Sequence, residues 1–505
     1  MGVQSGAVKR WPASRVPGMT ETLGVVAPGD VLSVRPGFGR LTRDSLVFAL
    51  GAVAGKAIGF LMLPVLTRLL TPSEFGRFDV ISALAGAGVS TLVLGMDVAT
   101  TRLAFDERTQ DRRALFGTWY AIAGIVVLPV AAILILASGP ISQVLLGESA
   151  HAPAIALVGL ILFGGVFHTL ALTVLRVQGR AGAYALLEGA YLGANAALAI
   201  VLLLQWRADT VALMVALLAS WGGTAAVAAL ALRHSIGARP QLPDARRLLQ
   251  LGLPLAPAIA ATCIADFVNR AYLYRTAGAV AAGEFSVALR FGSVAALMVA
   301  GFQLAWQPRA YALGRGDAAL RHIALDGQRI LAVVATGVVG LALVSPEVVG
   351  LLTGGRFPAV LPAVGAMLVA ALAMGLYVVA CLPSAMDSAM RDLGIAAICG
   401  VAVTFLSNLV LAPALGSAGT ALSVVVGQFT AVATVRLLAN GRRVRVGFPW
   451  WRMTLLVAGA SLITLAATSG PAAGSIGLRA LLAILALGGL ALEGTIPGML
   501  RGQAD

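Results

Sequence analysis

ALFGTWYAIAGIVVLPVAAILILASGPISQVLLG, residues 114 to 147, contains no Asp, Glu, Lys or Arg. About 20 consecutive apolar residues, each rising 1.5 Å, cross the roughly 30 Å hydrocarbon core of a bilayer as a helix. The run is long enough to hold one whole spanning helix. A second uncharged run covers residues 393 to 435. Neither alternates apolar with polar residues as porin strands do, which excludes a membrane β-barrel.

The rest of the chain has the same character. Of 505 residues, 59% are apolar and 11% charged, against about 25% charged in soluble domains. The mean hydropathy is +0.91. A soluble protein is excluded, and a polytopic all-α membrane protein remains. Cys263, Cys381 and Cys399 lie in apolar runs without metal-ligand or CxxC spacing, so neither a disulfide framework nor a metal site is implied. In a soluble protein the net charge of +14 would suggest nucleic acid. Here the basic residues fill short gaps between spans, so nucleic acid is not the expected partner.

Pro, Gly and charged clusters divide the chain into fourteen spans. They cover 45–67, 78–100, 114–137, 154–175, 183–205 and 210–232, then 248–270, 284–308, 328–345, 358–382, 393–411 and 417–436. A last pair lies at 453–469 and 476–493. Residues 1–43 are rich in Gly, Pro and Arg and have no apolar span or signal-peptide core, which predicts a disordered segment. The side bearing both termini and the even-numbered connections carries 27 Lys and Arg, the other side 7. By the positive-inside rule both termini are cytoplasmic. Arg442-Arg443-Val444-Arg445 beside Trp450 and Trp451 fits the cytoplasmic interface, where cations meet lipid phosphates.

Arg68 to Arg102 can be laid without a gap on Arg275 to Arg309, 207 positions on, matching Gly76 with Gly283, Phe78 with Phe285 and Val80 with Val287. Six spans per repeat is an even number, so the copies point the same way. This gives an N-lobe at 44–236, a C-lobe at 237–440, and residues 441–505 as two added helices with a short tail.

No catalytic motif is visible. Gly51-Ala52-Val53-Ala54-Gly55-Lys56-Ala57 has the wrong spacing for a phosphate-binding loop, and Gly51, Gly55 and Gly59 read instead as a close-packing helix face. Charge inside the spans is the informative feature, because a central Lys or Arg costs at least about 2.5 kcal/mol. Lys56 sits at the middle of the first span, roughly 15 Å from either end. Arg290 lies about six residues into the eighth span, close enough to its end for snorkelling. Both are candidates for contact with an anionic cargo. Asp266 and Arg270 stand i,i+4 in the seventh span and are placed to pair with each other. Asp97 and Glu188 sit near cytoplasmic ends and read as solvated or capping residues. Pro254 and Pro257 are expected to kink the start of the seventh span, where a gate could bend.

FLMLPVLTRLLTPSEFGRF, residues 60–78, resembles the junction of the first two helices in the oligosaccharide flippases of polysaccharide biosynthesis, the O-antigen translocase type. These belong to the multidrug/oligosaccharidyl-lipid/polysaccharide exporter (MOP) superfamily. The likeness continues at Leu94-Gly95-Met96-Asp97, Thr101-Arg102, residues 252–257, 275–285, 303–308 and 408–421. It spans nearly all of residues 43–440. The resemblance implies two six-helix lobes around a central cavity that opens alternately to each membrane face. It implies an undecaprenyl-diphosphate-linked oligosaccharide as cargo, moved from the cytoplasmic to the periplasmic leaflet of a bacterial inner membrane, with no enzyme chemistry, cofactor or metal. Membrane lipids, a polysaccharide polymerase and a chain-length regulator are the other partners it suggests. The acidic-basic pair that the family often shows where the seventh helix ends is here Asn269-Arg270, with the acid displaced to Asp266. Arg270 is a third candidate contact for cargo, and Asp266, Asp97, Pro254 and Pro257 are candidates for coupling or gating. A drug or cation antiporter and a lipid-linked peptidoglycan precursor flippase of the same superfamily stay open, as does a membrane-embedded glycan polymerase.

Overall fold

The computed structural model describes residues 55, 57–106, 109, 111–237, 239–357, 359–444, 446–469 and 471–492. Lys56 and the N-terminal segment expected to be disordered lie outside the described residues, as do residues 45–54 of the first span. No β-strand occurs among the described residues. The helices are α1 (Ala57–Leu69), α2 (Pro72–Leu92), α3 (Met96–Leu103), α4 (Arg112–Leu136), α5 (Ser138–Leu146), α6 (Ala152–Val177), α7 (Ala181–Gln205), α8 (Thr210–Leu232), α9 (Leu242–Gly252), α10 (Ala256–Leu313), α11 (Asp317–Thr353), α12 (Val360–Met386), α13 (Met390–Ala439), α14 (Trp450–Thr468) and α15 (Ile476–Leu492).

Among the described residues ten helices are long and apolar enough to cross a membrane. Two of them, α10 and α13, are broken by a glycine of non-helical geometry, Gly278 at φ 88° and Gly416 at φ 59°. In α13 the chain reverses at that point. A Cβ on Gly400 would lie 3.0 Å from both the Gly427 carbonyl oxygen and the Ala431 side chain, and one on Gly419 would overlap the Leu411 carbonyl. Such neighbours exist only if the arms run antiparallel, and a side chain is strained at positive φ unless the residue is glycine. Counting both helices as two arms and adding the shorter apolar helices α1 and α15 recovers fourteen apolar segments.

The boundaries differ where polar residues prolong a helix beyond the apolar stretch. α2 begins at Pro72, capped by Thr71, whose Oγ1 accepts the Glu74 N–H at 3.2 Å, and it breaks at Leu94 and Gly95, both at positive φ. α11 runs from Asp317 to Thr353, well past the 328–345 read from hydropathy. The seventh span does not start as one kinked helix. Amphipathic α9 ends at Gly252, Pro254 lies in the turn, and Pro257 enters the first turn of α10, where a missing N–H forfeits no helical hydrogen bond. The two prolines separate helices; they do not bend one.

Buried apolar side chains form two cores. One gathers residues of α2 to α6 and α8, from Val80 and Trp119 to Leu232, and the other gathers α10 to α14 around α12, which is buried for most of its length. Each core also takes in a helix from the other half. Leu63 and Leu66 of α1 and Leu70 just after it pack in the second core, while Phe267, Ala271 and Tyr274 of α10 pack in the first. Leu128, Leu136, Leu186, Leu230, Val410 and Leu462 are each more than 60% exposed. On a molecule of this composition such a surface faces lipid.

Candidate functional site

The 207-residue offset recurs in the contacts. The Arg68 guanidinium donates to the Leu351 carbonyl near the end of α11 at 3.2 Å, and the Arg275 guanidinium meets Gly147 at the end of α5. Gly147 and Gly354, which follow those two helices at φ 85° and 60°, are themselves 207 positions apart. Gly76 and Gly283 touch each other directly: a Cβ on Gly76 would lie 2.9 Å from the Gly283 nitrogen and overlap the Ala279 carbonyl, and one on Gly283 would lie 2.9 Å from the Pro72 carbonyl. Two equivalent residues in mutual contact place a pseudo-twofold axis between them. On the face carrying the odd-numbered connections, α2 and the second arm of α10 are therefore closed against each other at backbone distance.

Below this seal lies a charged cluster. Asp79, seven residues into α2 and 7% exposed, accepts from Arg270 at 3.1 Å. Arg270 also donates to Asp266 at 2.8 Å. Arg290 stacks over the Phe75 ring at 5.0 Å, a contact worth about 0.5–2 kcal/mol, and lies within electrostatic reach of Asp79 and Arg270. Among the described residues Asp79 Oδ2, Arg270 Nε and Arg290 Nη1 are each sealed from solvent and find no hydrogen-bond partner. Beside them the side-chain oxygen of Asn269 accepts from the Asn408 amide at 3.2 Å, joining the Arg270-bearing arm of α10 to α13. Among the described residues the two acids and two arginines are formally neutral together, so what they offer a ligand is unspent donor capacity.

Arg290 sits deeper than hydropathy indicated. The second arm of α10 begins just after Gly278, so about 17 Å of helix separates Arg290 from the turn, too far to snorkel. Asp266 and Arg270 pair as their spacing suggests, but Arg270 is shared with Asp79, which sequence reading passed over. The signal available was an acid close after Pro72 in a helix that otherwise reads as apolar. Asp97 lies apart from the cluster, half-buried in the first turn of α3. It stands with Pro254 and Pro257 at the opposite face, where Gly95 and Gly252 bring two backbones together: a Cβ on Gly95 would lie 3.0 Å from the Gly252 carbonyl and the Leu255 side chain. There α9 is tied down by Arg247, which reaches Asp106 at 3.0 Å. Burial raises the carboxyl of Asp244 on the same helix above its usual range, with Arg247 opposing and Asp111 reinforcing the rise. Glu188 is not a free solvated acid, because it meets His168 at 3.1 Å.

Helical hairpins related by a pseudo-twofold axis, joined by glycine contacts at both faces and enclosing intramembrane charge, define a multi-pass helical membrane protein. Residues 41–310 match the model of the polysaccharide biosynthesis protein family, and the chain belongs to that family. Among solved structures, the fold is similar to the lipid II flippase MurJ in an inward closed conformation, with a TM-score of 0.68 at 11% identity over 90% of this chain and 100% of that one. It is also similar to a MATE multidrug resistance transporter of the MOP superfamily in its inward-facing form, with a TM-score of 0.57 at 18% identity over 78% and 95%. The outward-facing form gives 0.55 at 18% identity over 83% and 96%. No curated protein sequence matches the chain.

Proposed function

We propose that this protein is a carrier, not an enzyme, that moves a polyprenyl-diphosphate-linked oligosaccharide from the cytoplasmic to the periplasmic leaflet of a bacterial inner membrane by alternating access between an N-lobe and a C-lobe. The observation that carries this reading is membership of a polysaccharide biosynthesis family on a fold shared with a lipid flippase. The physics is consistent. A lipid diphosphate takes several negative charges through hydrocarbon, and Arg290, with a buried N–H that has no partner among the described residues, offers a charge-assisted hydrogen bond there. A polymerase and a chain-length regulator would act on the delivered product.

The deciding experiment uses the purified protein in lipid vesicles. Labelled lipid-linked oligosaccharide, lipid II and a cationic dye are offered separately, and leaflet exchange or uptake is measured. Movement of the oligosaccharide lipid is expected. Movement of lipid II alone favours the second reading, a peptidoglycan precursor flippase, which the fold match to the lipid II flippase supports. Movement of the dye alone overturns both.

Within this reading Lys56 and Arg290 hold the diphosphate. Arg290→Ala and Lys56→Ala are expected to cut export at least tenfold at normal membrane levels, with Arg290→Lys in between because an ammonium cannot grip two oxygens. Wild-type export by the Lys56→Ala/Arg290→Ala double variant at normal abundance would refute the assignment. Orientation is tested separately. Alkaline phosphatase fused after Arg443 is expected to be inactive and after Gly355 active, since the 27 to 7 imbalance of basic residues puts the even-numbered connections in the cytoplasm. The reverse pattern would invert the assignment of faces.

A further inference from the structure

A second polar cluster lies inside the bundle, away from the charged site. His168 of α6 is 3% exposed. Its Nε2 faces Glu188 of α7 at 3.1 Å, and its Nδ1 faces the Thr224 hydroxyl of α8 at 3.0 Å. These residues lie seven to nine positions from the even-face ends of their helices, so the cluster sits about 10–14 Å below that face. Tyr191 tilts against the imidazole at 5.2 Å and stacks on Trp221 at 5.4 Å. An acid and a histidine at this depth are costly, and the charged cluster described above makes no use of them.

The hydrogen bonding accommodates two protonation states without moving a helix. Thr224 Oγ1 also lies 2.7 Å from the Ser220 carbonyl. When the hydroxyl donates to that carbonyl, its oxygen accepts from a protonated Nδ1, and the imidazolium faces the Glu188 carboxylate through Nε2. When the hydroxyl turns to donate to Nδ1, the imidazole is neutral and Nε2–H still serves Glu188. One hydroxyl rotation thus matches the gain or loss of one proton. Glu188 retains 26% side-chain exposure and links the sealed imidazole to the outside. The imidazole lies between the carboxylate and the hydroxyl, an order that suits a proton and leaves no oxygen cage for a metal cation.

We propose that His168, Glu188 and Thr224 form the coupling site of this transporter and that its ligand is a proton. The other groups around it are Tyr184 and Tyr191 on α7, Arg176 on α6 and Tyr120 on α4, whose ring packs on Phe167. On α3, which also meets α6, the charged residues are Asp97 and Arg102. α2 presents Val89 to Gly165. Glu188 is the acid in direct contact.

Proton binding can be measured without cargo, so that part does not depend on the proposed function; the coupling does. The chain has four histidines. His151→Gln, His234→Gln and His322→Gln together leave His168 as the sole imidazole, and its nitrogen resonances are followed in vesicles across the range in which histidine ordinarily titrates, about pH 5 to 8. Titration of that imidazole is expected, with Glu188→Gln weakening its proton affinity at least tenfold and Thr224→Val weakening it by less. An imidazole that keeps one state throughout, or whose titration ignores Glu188→Gln, overturns the proposal. In transport vesicles an imposed pH gradient is expected to change the wild-type rate at least tenfold, and His168→Gln or Glu188→Gln to abolish that response. A response unaltered in both variants removes the coupling role even if the site binds protons.

Discussion

Gly76→Ala is expected to stop export while leaving the protein in the membrane, by preventing the odd-numbered face from closing. The new methyl group would overlap the Ala279 carbonyl and crowd the Gly283 nitrogen. Both are backbone atoms, so no rotamer change relieves the clash, and the two helices have to part. Overpacking of this kind costs about 1–3 kcal/mol, occasionally more. In a carrier that alternates, that cost falls only on the conformation in which this face is shut, so the equilibrium moves toward the open form by roughly tenfold or more. Ala282, 1% exposed, reports the change. With Cys263, Cys381 and Cys399 replaced by alanine, Ala282→Cys should react slowly with an impermeant thiol reagent in the parent and at least tenfold faster with Gly76→Ala. Gly283→Ala, the repeat counterpart, should act the same way. Equal labelling with normal abundance would show that this contact does not gate access.

The spans were legible because hydrocarbon imposes one requirement that composition records directly: about 20 apolar residues with every backbone group satisfied internally. The division of the uncharged run between 411 and 417 falls where Gly416 adopts its non-helical geometry. Helix ends were less legible. Asp317 and Glu74 are polar, so hydropathy drops them, yet backbone hydrogen bonding continues through both. Likewise Leu248 to Gly252 looks like the start of a membrane span and is in fact the end of α9, because a short apolar stretch is the same whether it enters a bilayer or docks an amphipathic helix.

Function-bearing contacts were the least legible. Asp266 and Arg270 share a helix, and i,i+4 spacing alone brings them together. Asp79 meets Arg270 across 191 positions, and Glu188 meets His168 from a neighbouring helix, so neither pair has a local signature. A carboxylate near a span end reads as solvated until the partner helix is in place. The repeat was the exception. Its few identities were thin evidence, but Gly76 and Gly283 are identical for a physical reason: they meet at the axis, where only glycine fits.

The Asp79–Arg270 pair carries the other large expected effect. Asp79 stands between Arg270, whose neighbours Phe267 and Ala271 pack in the first core, and Arg290, which is flanked by Leu289 and Phe291 in the second. Asp79→Ala leaves two guanidinium groups with Asp266, whose side chain is 53% exposed, as the only carboxylate of the cluster among the described residues. Removing one partner of a buried pair costs about 3–5 kcal/mol, because the remaining charge stays buried without compensation, whereas removing both often costs little. Asp79→Ala and Arg270→Ala should therefore each lower the unfolding temperature of the detergent-solubilised protein, and the double variant should regain most of the loss. Arg290→Ala combined with Asp79→Ala should recover less, since Arg270 makes the direct 3.1 Å contact. Export should fail in the Asp79→Ala/Arg270→Ala protein despite its restored stability if the pair also holds Arg290 ready for an anion. If the double variant is as unstable as the sum of the singles, the two side chains are not coupled and Asp79 has another partner in the working protein.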